Sequence, residues 1–451
     1  MRTNRLTQKK WVGILAAACL LVAFMPNAGS AARKSWMRTR KVAPGVFYKH
    51  IKDASGPYRI RLLNIKLSKP STLDTVLATD VLPGRETTSS MAKRSGAIAA
   101  INGSYSHESG RPVYAFSRDG HLDQTSFEWG RNFAPRNDET GAYFGHPTMR
   151  VLLQDVGAPV SLRIDSVNAG PPLGEEIALF TPSGAWEELP PKFACSARLF
   201  PLEAPRLLTS GQAGARHVVD TVVCRKNHLG RRGGLVVSTP INSSNAASIS
   251  SLLPGQELIL SWSSGWVGVK DMVGGNPTLI EEGAIQWHSV VGDTWFHKRN
   301  PRTGVGLTSD GRVLLVAVDG RQPGYSVGMS LRRFAKLFES LGAEWAINLD
   351  GGGSTTFVLK GRVKNRPSDG RERPVSSSIV LLPGADPGET ESAPATEVVD
   401  DRVGDDVWED IVSDPASTGG LAAWLVESGR PLPPGLKQAA EGFTARSDAI
   451  K

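Results

Sequence analysis

Asp350 stands in the run Asn348-Leu349-Asp350-Gly351-Gly352-Gly353-Ser354, an acid followed by three glycines directly behind an apolar stretch. A carboxylate in such a place can act as a nucleophile, as a base, or as the cap of a turn. Glycines reach positive φ and carry no Cβ, so the amides of Gly351, Gly352, Gly353 and Ser354 could converge on an anion or a sugar hydroxyl. A tight hairpin or bulge is the alternative reading of the same residues. No lysine follows the glycines and Thr355–Leu359 reads as a strand, which excludes a phosphate-binding loop of the nucleotide triphosphatase type. A dinucleotide fingerprint fails for the same reason, since no helix begins at the glycines.

A second acid, Asp319, sits in Val318-Asp319-Gly320-Arg321 at the end of the apolar run Val313–Val318. Arg321 and Arg302, the latter among the turn residues Asn300-Pro301-Arg302-Thr303-Gly304, have the planar fork that suits bidentate phosphate recognition. Asp319 and Arg321 could also be no more than a structural ion pair, and Arg302 a loop clamp. Asn102 follows the short apolar run Ala97–Ile101, and Asn348 and Asn365 lie in comparable turns. His107, His121 and His297 have no partner pattern.

Taken in order, Ala100-Ile101-Asn102-Gly103, Val273-Gly274-Gly275-Asn276-Pro277, Pro301–Gly306, Val318–Arg321, Asn348–Thr356 and Val363–Ser368 resemble the phosphodiester glycosidases related to N-acetylglucosamine-1-phosphodiester α-N-acetylglucosaminidase. The resemblance spans roughly residues 50 to 383 and is dense only after residue 271. Where the family commonly continues Asn-Gly with a Gly-Phe type of sequence, this chain has Ser104-Tyr105. The resemblance implies hydrolysis of a sugar-1-phosphodiester at the glycosidic C–O bond. Asp350 and Asp319 are then the candidates for nucleophile or general base. Arg302, Arg321 and the amides of Gly351–Ser354 would hold the phosphate, and Asn102, Asn348 and Asn365 would bind sugar hydroxyls or fix the loops. No cofactor is required by this chemistry, although paired carboxylates suit Ca²⁺ or Mg²⁺. Cleavage of the P–O bond and non-catalytic glycan binding, for instance by an exopolysaccharide-associated protein, are the rival readings.

These residues need a frame. Ser330 is a helix N-cap ahead of Leu331, Phe334, Ala335, Phe338 and Leu341, which follow the i, i+3, i+4, i+7 spacing up to the stop at Gly342. Strand, helix, strand from Val313 to Leu349 would bring Asp319 and Asp350 to one edge if the two strands are parallel neighbours. Tyr58–Leu67 and Leu73–Thr79 also read as strands, and residues 140–265 alternate without helical periodicity. The expectation is an α/β (α+β) protein with a mixed β-sheet core, few helices and a β-rich middle. Residues 44–383 form its single large catalytic domain.

At the N-terminus, Arg2, Arg5, Lys9 and Lys10 precede an apolar run from Trp11 to Met25 and the small residues Ala28–Ala32. That is the layout of a secretory signal peptide over residues 1–32, with an uncleaved membrane anchor as the alternative, and it predicts a secreted or cell-envelope protein. Cys195 and Cys224 are the cysteines left after this leader, which suggests one disulfide and offers no metal or redox spacing. The chain carries a formal net charge of +8, although residues beyond 384 hold 14 acids against 5 bases. The body is therefore strongly basic. Its bases are spread out, without the arginine-rich or aromatic-interleaved motifs of nucleic-acid binding, so phosphate-bearing glycans are the expected partners. The acidic tail, 384–451, reads as solvated, with a short helix at Gly420–Val426, and the sequence says nothing about oligomeric state.

Overall fold

The computed structural model describes residues 35–384 except 68–70, 127–129, 137–140, 158–160, 185–193, 203–213, 225–233 and 287–296. The expected leader and the acidic tail lie outside the described residues. Two antiparallel sheets face each other. The first has eight strands in the spatial order Trp36–Ala43, Val46–Asp53, Tyr58–Lys66, Arg312–Val318, Arg302–Thr308, Ala343–Asn348, Thr278–Glu281, Ala284–Ile285. The second runs Arg362–Val363, Phe357–Leu359, Ala99–Asn102, Ser377–Leu382, Thr72–Leu77. The first sheet already begins at Trp36, ahead of the boundary expected at residue 44.

Period-2 alternation explains how the layers hold together. Along Arg312–Val318, residues Val313, Leu315 and Ala317 enter the core between the sheets, where they meet Ile101, Phe357 and Ile379. Leu314, Val316 and Val318 point the other way, onto Phe334 and Phe338 of the helix Leu331–Ser340. A strand covered on both faces must be apolar throughout, and this one is. Met91 and Ala92 of the helix Thr88–Arg94 cover the outer face of the second sheet through Val76, Ala100, Val358 and Val380. The result is four layers, helix, sheet, sheet, helix.

This arrangement corrects two expectations. The α/β label with a mixed sheet gives way to a β-dominated sandwich in which every pairing of the two main sheets is antiparallel. Arg312–Val318 and Ala343–Asn348 are also not neighbours. Both pair antiparallel with Arg302–Thr308, which lies between them. The connecting helix steps over one strand, so the two acid-tipped strands remain parallel to each other and end at the same edge, with Arg302 opening the strand between their tips. Ser330 caps the helix as expected, its Oγ accepting from the Arg333 N–H at 3.2 Å.

The β-rich middle forms a third sheet of eight strands around Trp262, whose indole N–H donates to the Gly120 carbonyl at 2.9 Å. Cys195 and Cys224 face each other across the antiparallel strands Ala194–Pro201 and Ala215–Cys224 and are disulfide-bonded. The chain leaves for this sheet after Ala142–Gly145 and returns at Val273–Gly275, and both of these strands flank Arg131–Pro135 in a small three-stranded sheet. Among the described residues, no helix is long and apolar enough to cross a membrane.

Candidate active site

The shared edge of the first sheet gathers most of the singled-out residues. Asp350 follows the strand Ala343–Asn348, and its backbone N–H donates to the Gly103 carbonyl at 3.2 Å. Asn102 fastens that junction from the second sheet. Its Nδ2 donates to the Asp350 carbonyl at 2.7 Å, while its Oδ1 accepts from Thr303 Oγ1 at 2.8 Å and from the Thr356 N–H at 3.1 Å. Asn102 is fully buried, so it fixes the loops and takes no part in the surface.

Asp350 as a residue is half-buried. Burial by the surrounding protein pushes it up to about 6, against hydrogen bonds from Ser354 and the Gly351 N–H and against the charges of Arg373 and Arg85. A carboxyl poised near neutrality at the end of a buried strand is suited to nucleophilic or general-base work.

Behind it the glycines form a 3₁₀ turn, Gly352–Ser354. Several of the turn's amides are already engaged within the protein. The Gly352 N–H donates to the Pro301 carbonyl at 3.0 Å and the Ser354 N–H to the Gly351 carbonyl at 3.1 Å, with the Gly351 N–H on the Asp350 carboxyl. The glycines are needed instead for what lies on top of them. Gly352 has φ +61°, and a Cβ there would sit 3.0 Å from Nη2 of Arg321. A Cβ on Gly353 would overlap the guanidinium of Arg373 and the carboxylate of Asp369, which pair at 2.6 Å. Two arginines thus lie against a floor without side chains, one on each of two consecutive glycines. Arg321 is exposed and steadied by Asn300, whose Oδ1 accepts from its Nε at 3.1 Å.

Arg302 is buried at the same edge, with Nε donating to the Met329 carbonyl at 2.9 Å and an Nη to the Lys298 carbonyl at 3.0 Å. Burial brings its guanidinium down to about 10, and the charge of Arg321 acts in the same direction. Asn348 is buried too. Its Nδ2 donates to the Tyr105 hydroxyl at 2.5 Å and to the Asn276 carbonyl at 3.0 Å, and its Oδ1 has no hydrogen-bond partner. Burial, with the charge of Asp350 adding to it, pushes the Tyr105 phenol up, so it stays protonated as a donor.

Asp319 reaches the same edge but is turned inward. Its carboxylate accepts from the Arg366 N–H at 2.8 Å, Asn365 Nδ2 at 3.2 Å and the Tyr325 hydroxyl at 3.1 Å, and burial raises its pKa. Asn365 passes the connection on, donating to the Thr355 carbonyl at 2.9 Å and accepting from the Phe357 N–H at 2.8 Å. Asp319 and Asn365 together hold the exit of the glycine turn. Among the described residues, no three His, Cys, Asp or Glu side chains converge in a way that could hold a metal ion.

Tyr105, Arg373, Arg85 and Asn300 are site residues that sequence reasoning misses. Tyr105 stands where the chain departs from the expected aromatic pattern, and that departure is the one signal the sequence carries for it. Arg85 and Arg373 sit in loops without any motif.

Known proteins resemble parts of this chain. The family model of the phosphodiester glycosidases matches residues 214–382. Over this segment the chain is similar to the phosphodiester glycosidases. The matched segment contains Arg302, Asp319, Arg321, Asn348, Asp350, the three glycines and Asn365. Over 68 residues, 15% of this chain and 13% of that protein, the chain is 41% identical to the mouse N-acetylglucosamine-1-phosphodiester alpha-N-acetylglucosaminidase. Over 90 residues, 20% of this chain and 14% of that protein, it is 37% identical to the SPbeta prophage-derived protein YomE of Bacillus subtilis. The matches therefore cover about one seventh of the length of those relatives. A structure from Synechocystis shares the fold with a TM-score of 0.60 at 19% identity, over 78% of this chain and 64% of that one.

Proposed function

We propose that the protein hydrolyses sugar-1-phosphodiesters at the glycosidic C–O bond. The observation that carries this reading is the pairing of one carboxyl, Asp350, poised near neutrality, with a guanidinium on each of the two glycines Gly352 and Gly353. Phosphate is already a good leaving group, so the site has more need of an anion holder than of a strong general acid. Arg321 and Arg373 lie where the departing phosphate would be held, with Arg85 and Arg302 adding positive potential behind them. Asp350, ionised, either attacks the anomeric carbon or takes a proton from the water that does. The C–O bond breaks with its electron pair leaving on the phosphate, and the positive rim offsets the charge that collects there. Tyr105, held by Asn348 and close enough to Asp350 and Arg302 to feel both charges, donates towards the same space.

Asp319 is assigned a positioning role in this reading, since its oxygens are occupied by donors from the loop it holds. The gene product is proposed to be exported, on the layout of residues 1–32, and to act on phosphate-bearing glycans of the cell envelope or its surroundings. Its basic body fits such substrates. The domain is proposed to run from the first strand of the first sheet to about residue 383.

Hydrolysis of an α-hexose-1-phosphodiester in ¹⁸O-labelled water tests the bond cleaved. Label in the released sugar is expected, and label in the phosphate would assign the reaction to P–O cleavage instead. Asp350→Asn is expected to lower kcat by roughly 10²–10⁴. In the unaltered protein kcat/KM should rise with pH through about 6, because the ionised carboxyl is the working form.

A further inference from the structure

We propose that the outer strands of the first sheet form a binding track for a linear, phosphodiester-linked glycan, so that the enzyme engages many repeats of an anionic polymer while cutting one linkage. This extends the proposed substrate from a single linkage to a polymer and rests on that reading.

Strand register puts cations in rows on one face. Trp36, Lys52 and Arg59 lie side by side across the first three strands, and the next row is Arg38, His50 and Arg61. Arg40 and Tyr48 follow. Successive rows are about 7 Å apart, two residues along a strand. Both rows continue into the catalytic edge. The Asp319 N–H donates to the Arg59 carbonyl at 2.9 Å, and Arg61 pairs with Ala317, which pairs with Thr303. Track and site thus share one face and one end of the sheet.

Arg61, the innermost of these cations, is buried, donates to the Lys364 carbonyl at 2.8 Å and acts on the Asp319 carboxylate, while Arg38 and Arg40 at the outer end are exposed. Among the described residues, Arg38, Arg40, Arg59, Arg61 and Arg366 form no ion pair. Their combined field acts on His50, which burial and then Arg61, Arg59 and Arg38 bring down to about 4. Arg59 Nη1 and His50 Nε2 are buried without a hydrogen-bond partner. Aromatic rings alternate with the charges: Arg38 lies 5.1 Å from the Trp36 ring centroid, and Arg59 and Arg366 lie 5.0 and 5.4 Å from that of Tyr325. Cations repeated along the strands, several of them steadied over aromatic rings, match the repeated charges of a sugar-phosphate chain.

The double substitution Arg38→Glu/Arg40→Glu changes two exposed side chains on the edge strand, outside the catalytic machinery. Binding of a hexose-phosphate polymer should weaken roughly tenfold, and the slope of log K against log salt should become shallower by about 0.7 for each phosphate the variant no longer neutralises. For a small soluble hexose-1-phosphodiester, kcat/KM should be unchanged. Arg38→Ala/Arg40→Ala should give a smaller effect in the same direction, and its thermal melt confirms the fold. Unchanged polymer affinity in both variants would overturn the proposal, as would equally tight binding of the unaltered protein to single-stranded DNA or to vesicles of anionic lipid. If the unaltered protein turns over no small substrate yet its polymer binding depends on Arg38 and Arg40, the track stands and the hydrolase reading fails.

Discussion

Asp350 carries a cost that comes with its proposed chemistry. Its folded-state pKa of about 6 lies above the ordinary carboxyl value, so the folded protein binds this proton more tightly than the unfolded chain does. The stabilisation is complete below about pH 4, the unfolded value, and is lost as pH rises through 6. Asp350→Asn should therefore be more stable than the unaltered protein at pH 7, by about 1–2 kcal/mol after screening of a partly exposed group, and the gap should close near pH 4. Urea midpoints at the two pH values check this. Burial raises the Asp319 pKa as well, but Asp319→Asn would turn an amide NH₂ towards donors that the carboxylate accepts, and that mismatch should outweigh the relief of the buried charge. The substitution weakens the acceptor for the Arg366 N–H and the Tyr325 hydroxyl in a buried place, at roughly 1–3 kcal/mol, and an activity loss as deep as that of Asp350→Asn in a folded variant would return Asp319 to the chemistry. The acids themselves were legible because each ends an apolar run before a glycine. What their oxygens touch was not, since Tyr325 and Arg366 reach Asp319 from a separate turn and loop.

At the scale of elements, the glycine turn is a packing surface more than an amide cradle. Gly352→Ala would force a side chain into the left-handed region at φ +61° and push Arg321 outward. With Arg321, the proposed phosphate holder, displaced, kcat/KM should fall by roughly 10²-fold. Gly361→Ala, also at positive φ but with open space around it, serves as the control for backbone strain alone. The helix from Leu331 and the fully apolar strand before it could be read from spacing, because periodicity and capping are local. Strand order could not. A helical connection looks the same in sequence whether it joins neighbouring strands or steps over one, and the strand that lies between, Arg302–Thr308, precedes both.

For the whole molecule, the disulfide lies in the third sheet and not in the sheet that carries the candidate site. Cys195→Ser/Cys224→Ser opens a loop with a sequence separation of 29, and a stability loss of about 2–4 kcal/mol is expected in thermal melts. Turnover per folded molecule should not change, which separates the architecture of the middle segment from the chemistry of the edge. The alternating composition of residues 140–265 announced strands, but nothing in it told that they would build a sheet of their own, because alternation specifies a face and not the partner that covers it.

The small sheet through which the chain departs and returns has one more consequence. Ala142–Gly145 and Val273–Gly275 lie on either side of a single strand, so the chain enters and leaves the third sheet, a branch of the main sandwich, at two nearby points. Such a branch can lengthen, shrink or acquire new loops over generations while the strand order that sets Asp350 beside its arginines stays untouched. Divergence among proteins built on this plan should collect in the branch.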